Sequence, residues 1–289
     1  MKNIKLLTVL FAFFYTACDI VESPYMIEQE KPIVIVDTTD TIDTTAVIEY
    51  KRKILLEDYT GHRCGNCPKA HEKLAELIET YGEQIIPMAV HTGFFAWPLG
   101  TYTADYQTSV GNELDAYFGN SNAGLPNGMV NRSSITGELI LSYTSWTAAV
   151  DQILQATPEI HIEITNAYDS TSRALTVSVL TKALTDISKT LKLAVYISED
   201  SITSMQLDYN QDPQDIPNYT HRHVLRGAIN STWGDIIATG NLTVDDETTR
   251  IYSYSINNSW NHYHCDVVAF VYDSESLEII QAEMLNIFE

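Results

Sequence analysis

Positive charge is what this sequence has least of. Its 17 Lys and Arg face 38 Asp and Glu, a formal net charge of −21. Such an excess repels phosphate backbones and anionic headgroups, so a nucleic-acid partner is not expected and solubility outside the cell is the plain use of the acidity. Cysteine is sparse as well, with only Cys18, Cys64, Cys67 and Cys265. There is no glycine-rich nucleotide loop and no repeat of solenoid length. No cofactor is implied. Beyond the N-terminus no apolar run approaches the ~20 residues that a membrane helix needs. What is present is a 45% hydrophobic share over 289 residues, which excludes general disorder and suits two folded domains.

Lys2 and Lys5 precede an apolar run from Leu6 to Ala17, the layout of an export signal and too short for a span. Tyr15-Thr16-Ala17-Cys18 is similar to the lipobox at which bacterial lipoproteins are cut and lipidated on cysteine, with Tyr15 where Leu is usual. Residues 1–17 are therefore expected to be a signal peptide and Cys18 the lipidated residue, the anchor to the membrane. Ordinary secretion with a free Cys18 is the alternative. Residues 18–47 are acidic and Thr-rich and read as a tether. Within them Asp37-Thr38-Thr39, Asp40-Thr41-Ile42 and Asp43-Thr44-Thr45 resemble the O-glycosylation acceptor of Bacteroidetes secreted proteins, or are simple low complexity.

From residue 48 to 157 the pattern predicts an α/β domain. Ile54-Leu55-Leu56-Glu57-Asp58 fits a buried strand, and Pro68 to Tyr81 an amphipathic helix with Ala70, Leu74, Leu77 and Ile78 on one side and Gly82 beyond its end. Ile85 to Val90 is a second buried strand, joined by a right-handed crossover. A helical insert is expected over 101–118, a strand start over 129–131 and a closing helix over 143–154. After Pro158 the period becomes two. Stretches at 160–164, 175–179, 191–197, 224–229, 251–256, 267–272 and 277–287 read as about seven strands, so residues 158–289 are expected to form an all-β sandwich of immunoglobulin-like kind.

The chemistry sits at Cys64-Gly65-Asn66-Cys67. A Cys-x-x-Cys motif between a buried strand and a helix has a thioredoxin-like context. Free amides and the helix dipole favour a Cys64 thiolate, which makes Cys64 the candidate nucleophile and Cys67 the resolving thiol. Asp58, six residues earlier, is the candidate proton acceptor for Cys67, with Glu57 competing. Gly124-Leu125-Pro126 precedes the strand at 129, where thioredoxin folds place a cis-proline opposite the dithiol, so Pro126 joins the candidate site. His221-x-His223 and His262-x-His264 would each present two imidazoles on one face if they lay in strands, and could hold zinc or copper only if the pairs converged. Solvated or core histidines are the commoner outcome, so no metal is assigned. His71, one turn after Cys67, could pair with the dithiol to hold copper and has no stronger claim. Phe94, Phe95, Trp97 and Tyr102 either wall the dithiol or serve as core.

Ile54 to His71, Asn218 to Gly227 and Asp266 to Tyr272 carry a resemblance. The first segment resembles the thioredoxin-like superfamily, and all three are similar to the outer membrane protein 28-related lipoproteins of Bacteroidetes. The resemblance implies attachment to the outer membrane, with exposure at the cell surface as one arrangement, and supports a fold more than any reaction. Two functions follow. One is thiol–disulfide exchange with protein thiols. The other is a non-enzymatic surface binding or adhesion lipoprotein whose disulfide only staples the helix start. Oligomeric state is not legible. The anchor is testable directly: Cys18→Ser should abolish labelling by radioactive palmitate and shift the protein from the membrane fraction to the soluble one.

Overall fold

The computed structural model describes residues 49–289 except residue 135. The signal peptide, Cys18, the tether and the Asp-Thr triplets lie outside the described residues. Among those described, no helix is long and apolar enough to cross a membrane.

The first strand, β1 (Ile54–Thr60), is buried along its whole length. It leads through a loop into α1 (Cys67–Tyr81), which buries Cys67, Pro68, Ala70, Leu74 and Leu77 and returns the chain to β2 (Ile85–His91), parallel to β1. The expected strand, helix and strand are thus present. The expected helical insert shrinks to α2 (Ser109–Phe118). Thr108 sets its start, since its hydroxyl accepts from Gly111 N at 2.9 Å and caps the first turn. A four-residue turn of helix, α3 (Asn120–Ala123), precedes β3 (Asn127–Val130), which runs antiparallel to β1. The closing helix is α4 (Trp146–Ile153), preceded by one 3-10 turn.

All seven strands expected after residue 158 are present, as β4 (Ile160–Asp169), β5 (Ala174–Ala183), β6 (Thr190–Glu199), β9 (Val224–Ala228), β11 (Glu247–Ser255), β12 (Cys265–Asp273) and β13 (Ile279–Asn286). Three more were not legible: β7 (Ile202–Leu207), β8 (Asp215–His221) and β10 (Asp235–Thr239). Their side chains are mostly half-buried or exposed, so no alternation of apolar and polar residues marks them.

Strands from both halves of the chain share one sheet of order β13-β12-β6-β9-β2-β1-β3, with β10 added to β6. Residues 50–289 accordingly form one compact unit, and residue 158 marks a connection between α4 and β4. The sheet curls: Ile279 N at the head of β13 donates to Asn131 O just past β3 at 2.8 Å. Inside the curl lies a core of Leu55, Tyr59, Met88, Tyr196, Phe270 and Tyr272. On the outer face of β1, the helices α1 and α4 pack Leu74, Leu77, Trp146 and Val150 against Ile54 and Leu56. A separate sheet, β11-β5-β4, covers the far face of β6 and β12 through Ile162, Val177, Val195 and Val267.

One ion pair is sealed into the curl. Arg132 donates from Nε and Nη2 to the two Glu57 oxygens at 2.8 and 2.7 Å, with both side chains almost wholly buried. The guanidinium also lies 5.2 Å from the ring centres of Phe118 and Phe270. Glu57→Gln leaves that cation without its counter-charge. Removing one partner of a buried pair costs about 3–5 kcal/mol, so the variant should unfold at a markedly lower urea midpoint than the wild type.

Candidate functional site

The site gathers where β1 and β2 end. In a mainly parallel unit the strand C-termini are where loops and helix N-termini converge. The loop after β1 turns through Cys64 N to Gly61 O and Cys67 N to Cys64 O, at 2.9 and 3.1 Å, and delivers Cys67 as the first residue of α1. Cys64 and Cys67 are joined in a disulfide, Cα to Cα 5.4 Å. Neither is open to solvent: Cys64 is 4% exposed and Cys67 0%.

Alternation along β1 settles the competition between the two carboxyl groups. Leu56, Asp58 and Thr60 project toward α1 while Leu55, Glu57 and Tyr59 point into the curl. Glu57 is spoken for by Arg132. Asp58 is fully buried with no hydrogen-bond partner on either oxygen, and desolvation raises its pKa to about 8. Its Oδ2 lies 3.5 Å from His71 Nε2. His71 and Cys67 are four residues apart on α1 and so share a face, which puts Asp58 beneath the face that carries Cys67. Pro126 precedes β3, whose Asn127 is paired with Tyr59, so it sits beside the end of β1. The Leu125–Pro126 bond is cis.

A cover lies over the disulfide. Strands β7 and β8 form a two-stranded sheet of their own, and the end of β7 with the turn beyond it runs along the Cys64 loop. Leu207 N donates to His62 O and Tyr209 N to Gly65 O, both at 2.9 Å, and Gln206 Nε2 donates to Cys64 O at 3.2 Å. The Tyr209 ring lies flat on Gly65, where a Cβ would stand 2.5 Å from it. Only glycine permits that approach. Phe94, Phe95 and Trp97 remain exposed nearby, tied to the loop by Arg63 N donating to Phe95 O at 3.0 Å. They edge the site rather than wall it, and Tyr102 stacks on His62.

Between cover and body lies a cluster of imidazoles and phenols that sequence reading did not assemble. His221, at the end of β8, meets His91 of β2 with ring centres 5.6 Å apart, and both meet Tyr106, at 5.0 and 4.9 Å. His62 edges Tyr106 at 6.2 Å. His71 bonds Thr60 Oγ1 through Nε2 at 2.9 Å and the Tyr219 hydroxyl through Nδ1 at 2.7 Å. His91 finds a hydrogen-bond partner on neither ring nitrogen. The one signal for this cluster was Tyr219 and His221 in the Asn218 to Gly227 stretch.

The paired-histidine spacing does not make a ligand set. His223 lies outside β8 with φ +52°, and His262 and His264 occupy a 3-10 turn rather than a strand. His262 Nδ1 bonds the Tyr168 hydroxyl at 2.7 Å. Among the described residues no group of three or more His, Cys, Asp or Glu is arranged to hold a metal ion, so His221, His223, His262 and His264 are not brought together as a metal centre, nor is His71 with the dithiol. Cys265 is a buried free thiol, pushed up to about 12 chiefly by desolvation.

Burial holds the cluster neutral. Desolvation lowers His221 to about 3 and His71 to about 4, and pushes His62 and His91 down as well. The unfolded chain takes up these protons near pH 6.5 while the folded one does not, so their contribution to stability is whole above pH 6.5 and is lost as pH falls below it. Asp58 acts oppositely: its raised value favours the folded state below the ordinary carboxylate pKa, and that contribution disappears as pH rises through about 8. Urea unfolding at pH 6.5 and pH 5 should show His221→Phe losing about 1–2 kcal/mol less than the wild type across that interval. Equal losses would mean that His221 is not buried neutral.

The model of the family described as outer membrane protein Omp28 matches residues 111–287, more than half of the chain. No curated protein matches it. Among solved structures it is similar to HBP35 of Porphyromonas gingivalis, at 20% identity and TM-score 0.59 over 83% of this chain and 77% of that one. A protein of Agrobacterium tumefaciens aligns at 12% identity and TM-score 0.50, over 83% and 96%. A domain of the outer membrane lipoprotein Omp28 from Porphyromonas gingivalis overlaps 45% of this chain and 88% of its own length at 21% identity and TM-score 0.32. Identities this low speak to fold alone, a mixed α/β body with many strands. The family match reaches further: the chain belongs to the outer membrane protein Omp28 family, and its place is the outer membrane of the cell envelope.

Proposed function

We propose that this protein carries out thiol–disulfide exchange at Cys64 and Cys67, on a thioredoxin-like α/β region, while held at the outer membrane by a lipid on Cys18. The observation that carries the reading is Asp58. A carboxyl group with neither oxygen hydrogen-bonded, wholly buried beneath the helix face that bears Cys67, is expensive to keep. A disulfide that merely staples a helix start has no use for it. Exchange does. The parallel β1–α1–β2 unit, β3 antiparallel to β1 and Pro126 at the end of β1 support the thioredoxin-like reading of residues 48–157, with the β-rich segment 158–289 following.

A partner thiolate attacks Cys64 Sγ, the Cys64–Cys67 bond breaks, and its electron pair leaves on Cys67. Asp58, protonated near neutral pH because of its value of about 8, gives its proton to the Cys67 sulfur. A second partner thiolate then attacks the partner sulfur of the mixed disulfide, and Cys64 leaves as a thiolate in the field of the α1 amides. The partner dithiol is oxidised to a disulfide and the protein is reduced to a dithiol. The reverse sequence reduces a partner disulfide.

A second reading has one observation in its favour. With Cys64 only 4% exposed, the disulfide fits a structural staple in a surface binding or adhesion lipoprotein. Equilibration with dithiol–disulfide buffers separates the two. Exchange requires a potential above about −300 mV and alkylation of Cys64 before Cys67 in the reduced protein; a lower potential with equally slow alkylation at both would leave the staple. Under the exchange reading, Asp58→Asn should slow turnover by roughly a hundredfold and remove the inflection near pH 8 from its pH profile.

A further inference from the structure

We infer that the cover over Cys64 occupies, within the same chain, a binding track for an extended polypeptide, so that the exchange partner is a cysteine-bearing segment in strand conformation that replaces residues 206–209 along His62–Gly65. The inference rests on the exchange reading and adds its substrate class.

Three observations support it. The cover meets the loop mainly through main-chain amides, at the end of β7 and in the turn beyond it. Leu207 closes β7 and Tyr209 lies in the turn two residues on, and their amides reach the carbonyls of His62 and Gly65 at 2.9 Å. Any extended peptide presents amides at that interval, which makes the track tolerant of sequence. Gly65 keeps the floor flat for whatever ring or side chain lies there, as Tyr209 does now. Gln206 alone reads the loop through a side chain, bonding Cys64 O at 3.2 Å and Leu207 O at 2.8 Å.

The cover is also attached lightly. β7 and β8 pair only with each other, and no residue from 202 to 221 belongs to any of the three buried apolar clusters. It meets the body through polar contacts, Tyr106 to Ser204 at 2.7 Å, Tyr219 to His71 at 2.7 Å, and Tyr102 to Asp215, and through the His221 ring against His91 and Tyr106. A two-stranded ribbon without an apolar face is marginal on its own and opens at lower free energy than a packed core. Its two ends are flanked by residues with positive φ, Ser201 at +58° and His223 at +52°. Finally, Cys64 is only 4% exposed, with Gln206 of the cover bonded to its carbonyl oxygen. A partner that takes over the same hydrogen bonds offsets the loss of the cover; a small thiol makes none of them.

The test uses the full chain and two reductants, glutathione and a synthetic peptide with two cysteines in an extended, proline-free sequence. For the wild type the peptide should react at least tenfold faster than glutathione at equal thiol concentration, and a cysteine-free peptide of the sequence Ser204 to Gln211 in excess should suppress that advantage. Gln206→Ala/Tyr209→Ala should raise the glutathione rate at least tenfold. If glutathione and peptide react alike and the double variant changes neither, the track is wrong and exchange stands. If neither reductant reacts with either form, exchange falls and the track with it. Hydrogen–deuterium exchange guards against a misfolded variant: in the wild type, amides 202–221 should exchange at least tenfold faster than those of β6, and protection equal to β6 would overturn the proposal.

Discussion

The site depends on the pleat of one strand. β1 is buried on both faces, so consecutive residues must satisfy opposite environments, and Glu57 and Asp58 are consecutive. Turned inward, Glu57 meets a guanidinium in ideal two-point geometry and the charge pair is sealed among aromatic rings. Turned outward, Asp58 finds no cation and no donor to either oxygen. Burial without a partner pushes a carboxyl group toward its neutral form. A register slip of one residue would exchange the two environments, leaving Arg132 facing the wrong carboxyl and the dithiol helix resting on another. The order of those two acids therefore decides both a structural ion pair and the protonation state beneath Cys67.

A second constraint is continuity of the sheet. β9 lies beside β2 and β6, with Ala89 paired to Val224 on one side and Tyr196 to Ala228 on the other. That insertion joins the strands after residue 158 to those before it, and places His221, three residues before the start of β9, against His91 at the end of β2. The hairpin that precedes β9 is thereby held over the dithiol. The second half of the chain completes the environment of cysteines that belong to the first.

The physical character of the two halves of the site differs accordingly. The floor is apolar and packed: α1 and β1 bury Leu56, Leu74 and Leu77 together, so Cys67 and Asp58 are held by the core. The roof is polar and thin, made of phenol hydroxyls, imidazoles and backbone amides. A packed floor with a hydrogen-bonded roof lets the roof move without loss of the core, because buried apolar area and not hydrogen bonding supplies most of the net stability.

Local spacing made much of this legible. Cys64 and Cys67 bracket a helix start, the alternation after residue 158 marks seven strands, and the apolar stripe of α1 is continuous; each of these is an interaction between residues close in sequence. The choice between Glu57 and Asp58 was not legible, because period two says that they diverge and is silent on which face meets the helix. Residues 101–118 read as a helical insert although the helix starts only at Ser109, because the cap at Thr108 is a single hydrogen bond and leaves no periodic trace. Histidines two residues apart suggested ligand pairs, yet their backbone is not extended where that spacing would matter. By itself, then, the sequence determined the dithiol, the helix that bears it and the outward acidity of the chain. Only tertiary structure decided that Asp58 lies beneath the dithiol helix, that His91 and His221 meet, and that residues 206–209 close over the Cys64 loop, since the last two join segments roughly 130 to 140 residues apart and the bonds of the cover are mostly backbone to backbone and carry no side-chain signature.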